Sequence, residues 1–150
     1  MRDIKGSLDA TGLKIGIVVA RWNQSITDRL LASALARLEE LGAEDVSVLH
    51  VPGALEIPVG ARALVEDGCD AVVVIGVVIK GETDHYDIVV SQSTSGVSHL
   101  ALETGVPIGN AILAVHDVED ALARAGSGGE SKGVEAVDAA IETATAIAGL

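Results

Sequence analysis

The stretch from Ala71 to Ile79 constrains the fold of this chain more than any other feature. Val or Ile fills every position except Ala71 and Gly76, and no polar residue interrupts the run. A strand with one face in solvent alternates apolar and polar residues, whereas an uninterrupted apolar strand is buried on both faces. The segment therefore predicts an inner strand of a parallel sheet that is covered by helices on both sides.

Three other apolar segments have the same strand character, and helical spacing of apolar residues fills the intervals between them. Strand–helix repeats of this kind predict right-handed crossovers and an α/β/α sandwich around a four-stranded parallel sheet. The predicted strands are residues 14–20, 46–51, 71–79 and 108–115, and the predicted helices are residues 25–41, 57–66, 84–104, 118–125 and 132–148.

The ends of the chain and of its helices give finer predictions. The 150 residues fit one domain with one core. Residues 4–8 could form an extra short strand, either in this sheet or in that of a neighbouring chain. Ser25, with Asp28 three residues later, resembles a helix start, and Thr83 is a suitable N-cap for the long helix after the third strand.

Charge and cysteine usage exclude several functional classes. Acidic residues outnumber basic ones by 22 to 10, so a nucleic-acid partner is not expected. The acidic surface is either ordinary or an adaptation to high salt. No apolar run reaches the roughly 18 residues of a membrane span, and no signal peptide is evident, so we expect a cytoplasmic protein. Cys69 is expected to be a buried or half-buried thiol, and the histidines show no metal-ligand spacing.

Distinctive residues follow three of the predicted strands. Ligands of parallel sheets bind beyond the carboxyl ends of the strands, so these three turns should share one rim. Trp22 follows the first strand and could stack on a planar heterocycle or pack on a loop. Glu56 follows the second and could cap its helix or bind ligand hydroxyls. Residues 81–85, Gly-Glu-Thr-Asp-His, follow the third.

This third turn has the features of an anion site beside a proton carrier. Backbone N–H groups at a helix start favour phosphate, and His85 in the first turn can transfer protons near neutral pH. The alternative is that Thr83 only caps the helix and His85 is an exposed helical residue. Residues 126–133 are glycine-rich, but Ser131 and Gly133 break the nucleotide phosphate-loop pattern, so we interpret them as a helix–helix joint. Arg124 just before them is a candidate phosphate ligand.

In this order and spacing the segments resemble the lumazine synthase family over essentially the whole chain. The resemblance implies a flavodoxin-like fold and a cofactor-free, metal-free condensation of 5-amino-6-(D-ribitylamino)uracil with 3,4-dihydroxy-2-butanone 4-phosphate. The matching segments are residues 12–19 with 21–23, 51–58, 76–83 with His85, 102–107, 124–126 and 132–133.

The resemblance also implies a role for each matching residue. His85 would be the catalytic residue that moves protons. Trp22 would stack on the pyrimidine, Glu56 would hold ribityl hydroxyls, and Thr83 with the backbone of Glu82 would hold phosphate. The remaining implied substrate-binding residues are Ala54, Leu55, Val77, Val78, Ile79, Asn110 and Arg124. Asp84 departs from the family pattern, and its carboxylate would repel phosphate or raise the basicity of His85.

Asn110 and Arg124 do not fit a site formed by one chain. Asn110 lies early in its strand, and Arg124 lies in the helix after that strand. In the resembling family both positions reach the site from an adjacent chain, which implies a pentameric ring at least. The family also forms shells of sixty chains, and the short joint between Arg124 and Lys132, without inserted residues or proline, favours the shell. Two alternatives stay open: an archaeal-type riboflavin synthase, which has a comparable Gly-Glu-Thr turn, and a non-catalytic flavin-binding shell protein.

Overall fold

Four strands and five α-helices alternate along the chain in this computed structural model, which describes residues 1–126 and 131–150. A single 3-10 turn, Ala54–Glu56, precedes the second helix. The elements are β1 (Lys14–Ala20), α1 (Gln24–Glu40), β2 (Asp45–Val51), α2 (Ile57–Glu66), β3 (Ala71–Ile79), α3 (His85–Thr104), β4 (Ile108–Val115), α4 (Val118–Arg124) and α5 (Lys132–Ala148).

The strands form one parallel sheet in the order β2-β1-β3-β4. Lys14 of β1 pairs with Asp45 of β2, and Val72 of β3 pairs with Ile108 of β4. All four carboxyl ends therefore lie along one edge of the sheet. The predicted sheet and its strand–helix alternation are confirmed, and each predicted boundary lies within one residue of the observed one.

The two faces of the sheet bury separate apolar clusters. Ile17, Val73 and Leu113 pack with α1, α4 and α5 on one face. Val72 and Val74 pack with α2 and α3 on the other. Because β3 is buried on both sides, only apolar residues fit its length, as its sequence predicts. Each fully buried Val, Ile or Leu side chain contributes about 1.5–3 kcal/mol relative to its exposed state.

Some local predictions need correction. Helix α1 starts at Gln24, and Asn23 rather than Ser25 occupies its N-cap position. Asp84 rather than Thr83 occupies the N-cap position of α3, and its side chain makes no capping hydrogen bond. Thr83 Oγ1 instead accepts the N–H of His85, the first helical residue, at 3.3 Å. The Thr83 hydroxyl therefore still contacts the start of the helix, from the position before the N-cap residue.

The N-terminal segment does not join the sheet of its own chain. Residues 1–13, all of which are described, form no strand, and the segment lies against α5. Thr145 Oγ1 accepts the N–H of Ser7 at 2.8 Å and donates to the Ser7 carbonyl at 3.0 Å. A strand within this chain's sheet is therefore wrong, and pairing with a neighbouring chain stays a prediction.

The remaining sequence predictions concern Cys69, membrane-spanning segments and the joint after Arg124. Cys69 is a free and buried thiol, as expected, and burial raises its pKa, which makes it a poor nucleophile. Among the described helices none is long and apolar enough to cross a membrane. Most of the predicted joint after Arg124, residues 127–130, lies outside the described residues.

Candidate active site

A cavity of about 400 Å³ opens at the carboxyl ends of β1 and β3. The 3-10 turn after β2 and the first turn of α3 complete its walls. Eight residues that the sequence singles out line this cavity together: Trp22, Ala54, Leu55, Glu56, Val77, Val78, Ile79 and His85. The three turns therefore share one rim, as the parallel sheet requires.

Trp22 forms one wall of the cavity and keeps 60% of its surface exposed. Its backbone N–H donates to the carbonyl of Pro52 at 2.9 Å, which ties the end of β1 to the turn after β2. Its ring lies against Gly53, where a Cβ would overlap ring atoms Cε3 and Cζ3. The indole thus rests on backbone and presents exposed aromatic surface, an arrangement suited to stacking on a planar ligand.

Glu56 stabilises the turn before α2 and does not cap that helix through its side chain. Its Oε2 accepts the N–H of Gly53 at 3.2 Å, which closes the turn before α2. The half-buried carboxylate also lines the cavity. Among the described residues only this one hydrogen bond reaches the carboxylate, so its second oxygen is available to accept from ligand hydroxyls.

The start of α3 carries His85 into the cavity and leaves the preceding turn exposed. Glu82 and Thr83 do not line the cavity but precede His85 at the helix start. Three carboxylates surround this histidine in sequence: Glu82, Asp84 and Asp87. The helix dipole favours an anion here, but these carboxylates oppose it.

Asn110 and Arg124 lie away from this cavity in the chain itself. Asn110 Oδ1 accepts the N–H of Ile112 at 2.8 Å, and the residue lines a smaller depression between α3 and β4. Arg124 is exposed at the end of α4, where its Nη1 donates to the carbonyl of Asp120 at 2.9 Å. One chain thus brings most of the predicted site residues to the cavity, but Asn110 and Arg124 do not line it.

Three lining residues were not predicted: Ala20, Asn23 and Val89. The two apolar residues carry no signal beyond being in a strand end and a helix. Asn23 had a detectable one, because Asn is enriched where a strand must turn sharply with positive φ. Within the described residues, no group of three His, Cys, Asp or Glu side chains could hold a metal ion.

Comparison of the sequence with known proteins identifies the family of this chain. The sequence model described as 6,7-dimethyl-8-ribityllumazine synthase matches residues 12–148. A protein of that name from Kineococcus radiotolerans is 47% identical over 95% of this chain and 90% of its own length. Another, from Nitratidesulfovibrio vulgaris, is 39% identical over 95% of this chain and 94% of its own length. The chain therefore belongs to the 6,7-dimethyl-8-ribityllumazine synthase family.

Proposed function

We propose that this protein is a transferase of riboflavin biosynthesis. It condenses 5-amino-6-(D-ribitylamino)uracil with 3,4-dihydroxy-2-butanone 4-phosphate and releases 6,7-dimethyl-8-ribityllumazine, phosphate and water. The observation that carries the proposal is the shared cavity of Trp22, Glu56 and His85, in a chain that is 47% identical to a relative named for this product.

Different residues of the site bind each of the two substrates. The pyrimidine stacks on Trp22 against the edge of β3, from Val77 to Ile79, where backbone groups bind its polar edge. Ala54 and Leu55 line the pocket beside it, and the second oxygen of Glu56 accepts from ribityl hydroxyls. The phosphate of the other substrate binds at the start of α3, near Thr83 and the backbone of Glu82.

His85 lies between these two regions and acts as the proton carrier. Imine formation, loss of phosphate and ring closure each need a proton removed at one atom and delivered at another. An imidazole does this near neutral pH. No cofactor is required, because holding two reactive molecules in contact supplies much of the rate.

The charge of the cavity supports a site shared between chains. Its described lining contains no Lys or Arg, and Asp84 and Asp87 flank the phosphate region. Lys80 in the same turn has its Nζ 5.9 Å from the centre of the Tyr86 ring, and Arg124 does not line the cavity of its own chain. A further cation would strengthen phosphate binding at this acidic helix start. We propose that Arg124, with Asn110, reaches the cavity of an adjacent chain.

The exposed apolar surface of α3 supports the same arrangement. Ile88 and Leu102 keep 55% and 86% of their surfaces exposed on the outer side of this helix. Burying such residues favours association. The proposed assembly is a closed ring of five chains, and the larger proposal is a shell of sixty. The proposed location is the cytoplasm.

The test is to mix both substrates with the purified protein and to follow lumazine formation by its absorbance. Product must form faster than in the uncatalysed reaction, and heat-denatured protein serves as the control. A rate equal to the uncatalysed one would refute both the enzyme and its mechanism. Supplying the lumazine alone separates the alternative, because a riboflavin synthase would convert it to riboflavin.

A further inference from the structure

Asn23 has a backbone conformation that no other non-glycine residue shares in the described part of the chain. Its φ of 64° and ψ of 44° are left-handed. Its carbonyl accepts the N–H groups of Ile26 and Thr27 at 3.0 and 3.1 Å, which starts α1. The chain therefore turns from β1 into α1 within three residues, and Asn23 makes that turn at the rim of the cavity.

The side chain of Asn23 continues the sheet where β1 has ended. Pairing between β1 and β3 stops at Val19 and Ile75. Two residues farther along β3, the carbonyl of Val77 accepts from Asn23 Nδ2 at 3.0 Å. Val77 is only 5% exposed, and a buried carbonyl without a partner is costly. The amide thus supplies a donor that the β1 backbone does not supply at this point.

Trp22 is held between two strand ends as a result. On one side its own N–H donates to Pro52 after β2, and its ring rests on Gly53. On the other side the next residue, Asn23, is bonded to β3. The indole and the β3 edge are the two sides of the slot in which the pyrimidine is proposed to lie.

We propose that Asn23 is a positioning residue that fixes the separation between Trp22 and the β3 edge, and so sets the width of the pyrimidine slot. This inference rests on the proposed function only in the identity of the ligand. Asn23 acts through its neighbours Trp22 and Val77. The hydrogen bond from its side-chain amide to the Val77 carbonyl is the interaction that fixes the width of the slot.

The test uses Trp22 as a built-in probe, because it is the only tryptophan of the chain. The Asn23→Asp variant keeps the shape but replaces the donor with a carboxylate facing the Val77 carbonyl. The Asn23→Gly variant keeps the left-handed backbone and removes the amide. Gln24→Glu makes the same amide-to-acid change at the next position, where the side chain is exposed and lies outside the cavity, and serves as the matched control.

Two readouts separate positioning from folding and from the proposed function. Acrylamide quenching of Trp22 in the ligand-free protein reports on the indole alone, and equilibrium dialysis with 6,7-dimethyl-8-ribityllumazine reports on the slot. We expect stronger quenching and roughly five- to tenfold weaker lumazine binding in both Asn23 variants, the range expected for one lost hydrogen bond. We expect thermal unfolding to stay cooperative in both and Gln24→Glu to behave as the wild type.

Unchanged Trp22 quenching in both Asn23 variants would overturn the inference, whatever the lumazine result. Equal losses in Gln24→Glu would overturn it too, because the effect would then not be specific to the Asn23 side chain. If the wild type itself does not bind lumazine, the proposed function fails, and the acrylamide comparison still decides whether Asn23 positions the indole.

Discussion

Gly53 and the ring of Trp22 are packed so closely that one added methyl group would not fit. A Cβ at position 53 would overlap two carbon atoms of the indole. The conflict is relieved when the ring moves into the cavity, since its outer face is exposed. The glycine therefore acts on ligand binding through the position of its neighbour.

We predict that Gly53→Ala weakens lumazine binding about tenfold or more, because overpacking costs roughly 1–3 kcal/mol. Equilibrium dialysis measures this directly, and Trp22 emission should change in the ligand-free protein. Gly149→Ala adds the same methyl group near the C-terminus, far along the chain from the cavity, and should bind normally. Wild-type affinity in Gly53→Ala would show that the position of the ring does not control binding.

His85 should control turnover more than binding. We predict that His85→Ala lowers kcat by roughly ten- to a thousand-fold, in keeping with the loss of a general acid–base group, and changes lumazine affinity much less. His99→Ala is the matched control, because His99 lies on the same helix but contacts Glu103 and does not line the cavity. Steady-state rates with both substrates decide the question, and an unchanged rate would remove His85 from the proton transfers.

At the scale of elements, one ion pair ties α1 to α5 across the face of the sheet. Arg37 Nε and Nη2 donate to the two carboxylate oxygens of Asp138 at 2.7 and 3.2 Å, and Nη1 donates to Glu40. Asp138 and then Glu40 raise the pKa of Arg37 above its ordinary value. The pair is only 23% and 30% exposed, so solvent screens it less than an ordinary surface pair.

We predict that Arg37→Ala lowers the free energy of unfolding by roughly 1–2 kcal/mol, as expected for charge-assisted hydrogen bonds between two helices. Arg62→Ala removes exposed ion pairs with Glu66 of the same helix and Glu103 of α3, and should cost clearly less because solvent screens them. Urea unfolding at one fixed protein concentration compares the two. Equal losses would mean that the α1–α5 pair is no stronger than a surface pair.

The sequence predicts the main strands and helices of the fold well. The apolar run of β3 and the helical spacing around it predict the sheet, because burial on two faces leaves no other composition possible. The rim turns follow, since parallel strands end on one side. The role of the Asn23 side chain was missed because its cause is tertiary: the amide donates to the Val77 carbonyl, 54 residues away. The placement of the N-terminal segment beside α5 depends on Thr145 in the same way.

For the whole molecule, the excess of acidic groups bears on how the proposed phosphate region could bind an anion. The formal charge of the chain is −12, and the proposed phosphate region is flanked by Asp84 and Asp87. Arg124 is exposed on α4 and bonded to Asp120 of its own helix. Under the proposed arrangement the phosphate region gains the Arg124 guanidinium only by association, so activity and assembly should depend on each other.

Mixing two impaired variants tests this dependence. His85→Ala and Arg124→Ala should each be strongly impaired alone, the second chiefly through a raised KM for the phosphorylated substrate. When they are unfolded, mixed in equal amounts and refolded together, a ring with shared sites should contain about one quarter of sites with both native residues, because each residue then comes from an independently chosen chain.

Activity near that fraction of the wild type therefore indicates a site completed by the neighbouring chain. The control is to refold each variant alone and then mix the assemblies, which exchanges no chains and should restore nothing. If Arg124 instead served the cavity of its own chain, no chain in the mixture would carry both residues. Refolding together would then give only the average of the two low activities, and the shared site would be excluded.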